Sequence, residues 1–103
     1  MAEWIDVCST EDIAPAGMMR FDHGDGTFAI YRSSNDGFYC TEGMCTHEKI
    51  HLADGLMIGS TVECPKHNGT FNFTSGEALS APVCVNLKTY PTKVEDDRVS
   101  ILI

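Results

Sequence analysis

The sequence predicts an all-β domain, a sandwich or barrel of short strands, and three observations carry that reading. Runs of about four to eight residues rich in Val, Ile, Thr, Tyr and Phe recur along the chain with turn residues between them. No stretch holds the 3.6-residue apolar period of a convincing amphipathic helix. The chain is 103 residues long, which allows one domain and no more, and it contains no internal repeat or low-complexity linker.

Taken in order, Trp4 to Cys8 is the first strand, with Trp4 expected as a core anchor. Ser9-Thr10-Glu11-Asp12 has the residues to cap a single helical turn before Pro15-Ala16-Gly17 breaks it. Met18 to Asp22 and Thr27 to Arg32 read as a hairpin around His23-Gly24-Asp25-Gly26. Ser33 to Gly37 supplies a polar turn, and Phe38 to Thr41 another strand. Thr70 to Thr74 and Glu77 to Leu79 flank a Ser75-Gly76 turn, and Ala81-Pro82 opens a further loop. Lys88 to Glu95 and Arg98 to Ile103 form a closing hairpin around Asp96-Asp97. Five of the nine glycines fall between residues 43 and 76, where backbone must approach something closely.

That glycine-rich stretch contains the chemistry. It opens Cys45-Thr46-His47 and closes Cys64-Pro65-Lys66-His67, a C-x-H-x16-C-x2-H pattern. Each half offers one thiolate and one imidazole from a tight loop. Zinc accepts two sulfurs and two nitrogens, but its sites usually begin with two cysteines two to four residues apart. Here Cys and His alternate, twice. The alternation suits a centre with two metal atoms, one taking both thiolates and the other both imidazoles, which is the mixed ligation of a Rieske [2Fe–2S] cluster.

At these residues the sequence resembles the Rieske family, and more closely the small Rieske ferredoxins of bacterial multicomponent oxygenases. These include the ferredoxins of aromatic-ring dioxygenases and of rhizopine catabolism. The resemblance runs from Trp4-Ile5-Asp6-Val7-Cys8 to Val99-Ser100-Ile101-Leu102-Ile103, and Gly69-Thr70-Phe71 extends the second motif. It implies the Rieske fold: a base of antiparallel strands built from both chain ends, with a cluster-binding subdomain inserted at about residues 43–78. It implies one [2Fe–2S] cluster held by Cys45, His47, Cys64 and His67, the thiolates facing inward and the imidazoles exposed at a tip. Glu48 and Asn68 stand where the family usually has Gly after each ligand His. Asn tolerates positive φ better than other non-Gly residues, so Asn68 is expected to keep its turn. Relatives of high potential carry a disulfide between the two loops and hydroxyls that bond to sulfur. Ile50, Lys66, Gly69 and Phe71 occupy those places here. The resemblance thus implies a potential near the lower end of the Rieske range, roughly −150 mV.

The remaining cysteines of the five, Cys8, Cys40 and Cys84, read as small buried hydrophobes in a reducing compartment. His51 fits no ligand position and is expected on the surface or behind the ligands; His23, in a Gly-Asp-Gly turn, is expected in solvent. Phe71 and Phe73 are expected in the core. A net charge of −8 and a pI of about 4.7 argue against nucleic acid and anionic membranes. No apolar run approaches a membrane span, and residues 1–4 carry neither a basic region nor a signal core. A cytoplasmic monomer is expected.

An oxygen-activating enzyme needs an open iron site, typically two His and a carboxylate, and His23 and His51 offer no such triad. The expectation is an electron carrier, passing single electrons from a flavoprotein reductase to a terminal oxygenase. Two other readings remain open at this level, a redox-sensing regulatory subunit and a structural zinc module.

Overall fold

The computed structural model of the chain describes residues 2–47, 49–66, 68–81 and 85–103. The two chain ends meet in one antiparallel sheet, where β1 (Trp4–Ser9) pairs with β10 (Arg98–Leu102) and β10 with β9 (Thr92–Glu95). Glu3 N–H donates to Ile103 O and Ile103 N–H to Glu3 O, at 2.7 and 3.0 Å. The expected helical turn is a 3₁₀ turn, Thr10–Asp12. Ser9 Oγ accepts from Glu11 N–H while Asp12 Oδ2 accepts from Ser9 N–H, so each end of the cap satisfies a backbone donor of the other.

The second sheet has the order β2 (Gly17–His23), β3 (Gly26–Arg32), β4 (Phe38–Glu42), β8 (Thr89–Tyr90). The β2–β3 hairpin forms as expected, with Gly24 at φ +58° in its turn. Strand β3 is the centre of the molecule. Its run Phe28-Ala29-Ile30-Tyr31 is buried without interruption, as a strand covered on both faces must be. Side chains alternate along a strand, and here each set meets a different core. Phe28 and Ile30 join Cys8, Cys40, Val99 and Ile101 between the two sheets. Ala29 and Tyr31 face the other way, among Leu52, Val62, Phe71, Phe73 and Leu87.

That second core is closed by a third antiparallel sheet, β5 (Leu56–Ile58), β6 (Thr61–Glu63) and β7 (Thr70–Asn72). All of it lies between β4 and β8 in sequence. Tyr31 stacks on Phe73 at 4.7 Å, and Tyr39 meets the same ring edge-on at 5.6 Å. The Tyr31 hydroxyl lies 2.9 Å from Thr41 Oγ1, which itself donates to Glu42 O, so the phenol is the donor and no polar atom there is orphaned.

Three expectations need correction. Trp4 is not a core anchor: it is 41% exposed, and Lys93 Nζ sits 4.5 Å above its ring. The arm Glu77–Leu79 shrinks to one bridge, Phe71 with Ala78, because Asn72 Oδ1 accepts from Thr74 and Ser75 N–H and turns the chain out of the ladder. The strand Lys88–Glu95 is two strands in two sheets, divided at Pro91. Proline has no N–H for a ladder, and there its carbonyl accepts from Leu102 N–H at 3.0 Å instead.

Candidate metal centre

The two Cys/His loops are closed in the same way. Cys45 N–H donates to Ile50 O at 2.9 Å, and Cys64 N–H donates to Gly69 O at 2.8 Å. In each case the cysteine amide bonds the carbonyl five residues on, so six residues make one tight arch. The first arch stands on a Met44–His51 bridge and on Leu52 N–H donating to Gly43 O. The second stands on the β6–β7 pairing, where Glu63 lies opposite Thr70. Asn68 takes φ +58° in the second arch, as expected for a non-Gly residue suited to the left-handed region.

Cys45 and Cys64 are 6% and 1% exposed, and both belong to the apolar cluster of Leu52, Val62, Phe71 and Phe73. Neither is in a disulfide. His47, two residues beyond Cys45, is exposed, as are Pro65 and Lys66. His67, Glu48, Pro82 and Cys84 lie outside the described residues. Among the described residues no three His, Cys, Asp or Glu side chains converge. The donor chemistry nevertheless fits an iron–sulfur group: two cysteine thiols outside any disulfide, from matched arches, share an apolar cluster, and His47 is exposed two residues beyond the first.

A third segment leans on the arches. Thr46 Oγ1 donates to Val85 O at 2.7 Å. Ser80 Oγ accepts from Thr70 N–H at 3.1 Å and lies 2.7 Å from Thr70 Oγ1. Leu79 and Val85 remain about half exposed beside them, at 47% and 58%. Neither tie was legible in the sequence, since a Thr or Ser hydroxyl gives no sign of a partner far along the chain.

Of the two places expected for His51, on the surface or behind the ligands, the structure excludes the surface: it is a buried residue, 3% exposed, at the foot of the first arch. Its Nδ1 accepts from Ala53 N–H at 3.0 Å, capping the 3₁₀ turn Leu52–Asp54. The proton is therefore on Nε2, which donates to Thr27 Oγ1 at 2.9 Å. Burial lowers the His51 pKa from its ordinary value, Arg20 pushes the same way, and Asp54 and Asp22 pull back. The signal available in the sequence was His51-Leu52-Ala53-Asp54-Gly55, a polar residue ahead of a short turn and a glycine. His23 is exposed, as expected, against Phe21. Cys8 and Cys40 are the buried hydrophobes expected, and burial pushes the Cys40 thiol up to about 12.

The family model for the Rieske [2Fe-2S] domain matches residues 3–91. The chain belongs to the Rieske [2Fe–2S] family. The ferredoxin component of the naphthalene 1,2-dioxygenase system of Pseudomonas putida is 36% identical, over 96% of this chain and 94% of its own. The ferredoxin component of biphenyl 2,3-dioxygenase from Rhodococcus jostii is 33% identical, over 92% and 88%. A solved complex of reduced oxygenase and oxidized ferredoxin in carbazole 1,9a-dioxygenase contains a chain with a TM-score of 0.90 and 34% identity. The match covers 95% of this chain and 91% of that one. The cofactor of this Rieske domain is the [2Fe–2S] cluster, which displaces the zinc reading. The protein is a ferredoxin, an electron carrier and not an enzyme. Among the described residues no helix is long and apolar enough to cross a membrane.

Proposed function

We propose that Cys45, His47, Cys64 and His67 hold the cluster, within a cluster-binding subdomain of about residues 43–78 of a single Rieske domain. On this reading the chain passes one electron at a time from a flavoprotein reductase to the terminal oxygenase of an aromatic-ring dioxygenase system. The observation that carries it is the division between Cys45 and Cys64, buried in one apolar cluster, and His47, exposed beside them. When bound, the cluster supplies a centre that accepts and returns a single electron. The chain's own residues do the rest. Phe71, Leu52 and Val62 keep water from the sulfur side, and the Cys45 and Cys64 amides hold each arch in shape. His47 opens the other side to a partner, so an electron leaving there has a short path. The buried free thiols Cys8 and Cys40 suit a reducing cytoplasm.

The test is iron and sulfide analysis with EPR, followed by turnover with a reductase and a dioxygenase. Two irons and two acid-labile sulfides per chain, and turnover that needs this protein, are expected. Cys45→Ser or His67→Ala should lose the cluster and, because ligand binding and folding are coupled, part of the folded state. A variant of any of the four that keeps a normal spectrum would remove that residue from the ligand set. A loaded protein that supports no turnover with any such pair would favour a redox sensor.

A further inference from the structure

We propose that His51 is a positioning residue for the first arch, holding its return stem to the β2–β3 hairpin and thereby setting the placement of His47. The arch has two stems. Gly43 continues directly from β4, and its N–H donates to Thr27 O at 2.9 Å, so the outgoing stem is fixed by backbone. The returning stem leaves Ile50 and enters a three-residue turn, and its backbone bonds run to the outgoing stem, from Leu52 N–H to Gly43 O and from Cys45 N–H to Ile50 O. The His51 side chain adds a direct tie to the hairpin. Its Nε2–H reaches Thr27 Oγ1, 24 residues away, and Thr27 Oγ1 donates to Asp22 Oδ1 at 2.5 Å. Arg20 Nε donates to the same carboxylate. The imidazole also occupies the space a side chain at residue 43 would take, for a Cβ there would collide with Nε2. One ring thus spaces the two stems and ties the returning one to Thr27, the residue that already binds the outgoing one.

The inference rests on His47 being a ligand, and the experiment separates the two claims. His51→Asn places an amide oxygen where Nδ1 was, keeping the Ala53 bond and losing Thr27. His51→Gln places an amide N–H where Nε2 was, keeping Thr27 and losing the cap. If the Thr27 tie positions the arch, His51→Asn and Thr27→Val both release the cluster to a chelator faster, by about fivefold, the factor one ordinary hydrogen bond carries. Both also displace the midpoint potential and the EPR g-values, and the double variant adds little to either alone. His51→Gln stays near wild type, and so does Asp22→Asn, which retains an acceptor for Thr27. Altered thermal stability with unchanged potential and g-values in His51→Asn and Thr27→Val would make His51 a purely structural cap and overturn the proposal. So would a His51→Gln variant displaced as far as His51→Asn. Failure of the ligand reading looks different: His47→Ala would then keep its iron and its spectrum.

Discussion

Thr46 Oγ1 and Val85 O, 39 residues apart, are joined by a 2.7 Å hydrogen bond that fastens the first arch to the segment after residue 84. Thr46 lies between Cys45 and His47, so the bond steadies the middle of the ligand pattern from outside. Thr46→Val keeps the shape and removes the donor. The expected outcome is faster loss of the cluster to a chelator and a modest fall in stability, of about 1 kcal/mol. Chelator-release kinetics beside thermal unfolding check it, and a variant as slow as wild type would mean the tie is incidental.

Asn68 at φ +58° makes a second test. A non-Gly side chain in the left-handed region costs roughly 1–2 kcal/mol, which Asn partly offsets. Asn68→Gly should therefore match or slightly exceed wild-type stability, while Asn68→Ala should lose on the order of 1 kcal/mol. Denaturant midpoints of the two loaded variants decide, and equal midpoints would show that the turn does not constrain residue 68.

The features legible in the sequence are local ones. The hairpin around Gly24, the Ser9 cap, the Asp96-Asp97 turn and the φ of Asn68 each depend on a few adjacent residues. The Cys/His pattern is also local, because each arch is six residues closed on itself. What escaped depends on partners far along the chain. Trp4 reads as a core residue until Lys93 is placed over its ring by a sheet joining the chain ends. Lys88 to Glu95 alternates like one strand, and only the packing of two sheets divides it at Pro91. The partner of His51 is hidden until the fold brings Thr27 to its Nε2.

The same His51 predicts a pH dependence. Its pKa is below the ordinary value in the folded protein and ordinary, about 6.5, in the unfolded chain. Between those two values the unfolded chain binds the extra proton, so stability rises with pH there. The contribution is fully present above about pH 6.5 and is lost as pH falls through the window toward the folded value. Protonation also abolishes the Nδ1 acceptor that Ala53 N–H uses. Melting temperatures of wild type and His51→Gln should converge as pH is lowered from 7.5 to 5. Parallel curves would place the acid sensitivity elsewhere.

Phe71 is fully buried in the cluster of residues that includes both Cys45 and Cys64. No hydroxyl is available from it or from Gly69. A hydroxyl donating to sulfur offsets the negative charge that reduction adds, so Phe71→Tyr with Gly69→Ser should raise the midpoint potential. For one electron, about 59 mV is a tenfold change in equilibrium, and a shift of that order is expected. Voltammetry giving an unchanged or lower midpoint, with the cluster intact, would refute this account of a low potential.

The last prediction concerns where partners dock. Electron transfer slows steeply with distance, and His47 and Lys66 are exposed where Cys45 and Cys64 are buried. Leu79 and Val85, exposed and apolar, stand beside the arches through Thr70 and Thr46. This surface can bury apolar area against a partner, while the net charge of −8 attracts a basic face from further away. Lys66→Glu and Glu48→Lys should therefore alter both the rate of electron transfer to the oxygenase and its salt dependence. Asp96 and Asp97, in the β9–β10 turn at φ +50° and +62°, serve as the control. Changing both to Asn removes two charges and suits the turn, so any effect is electrostatic and not a loss of fold. Stopped-flow reoxidation over a salt series is the measurement, with the potential of each variant checked separately. If the Lys66 and Glu48 variants react like wild type while the Asp96 and Asp97 pair slows transfer, the partner docks at the far end of the base sheet and not over His47.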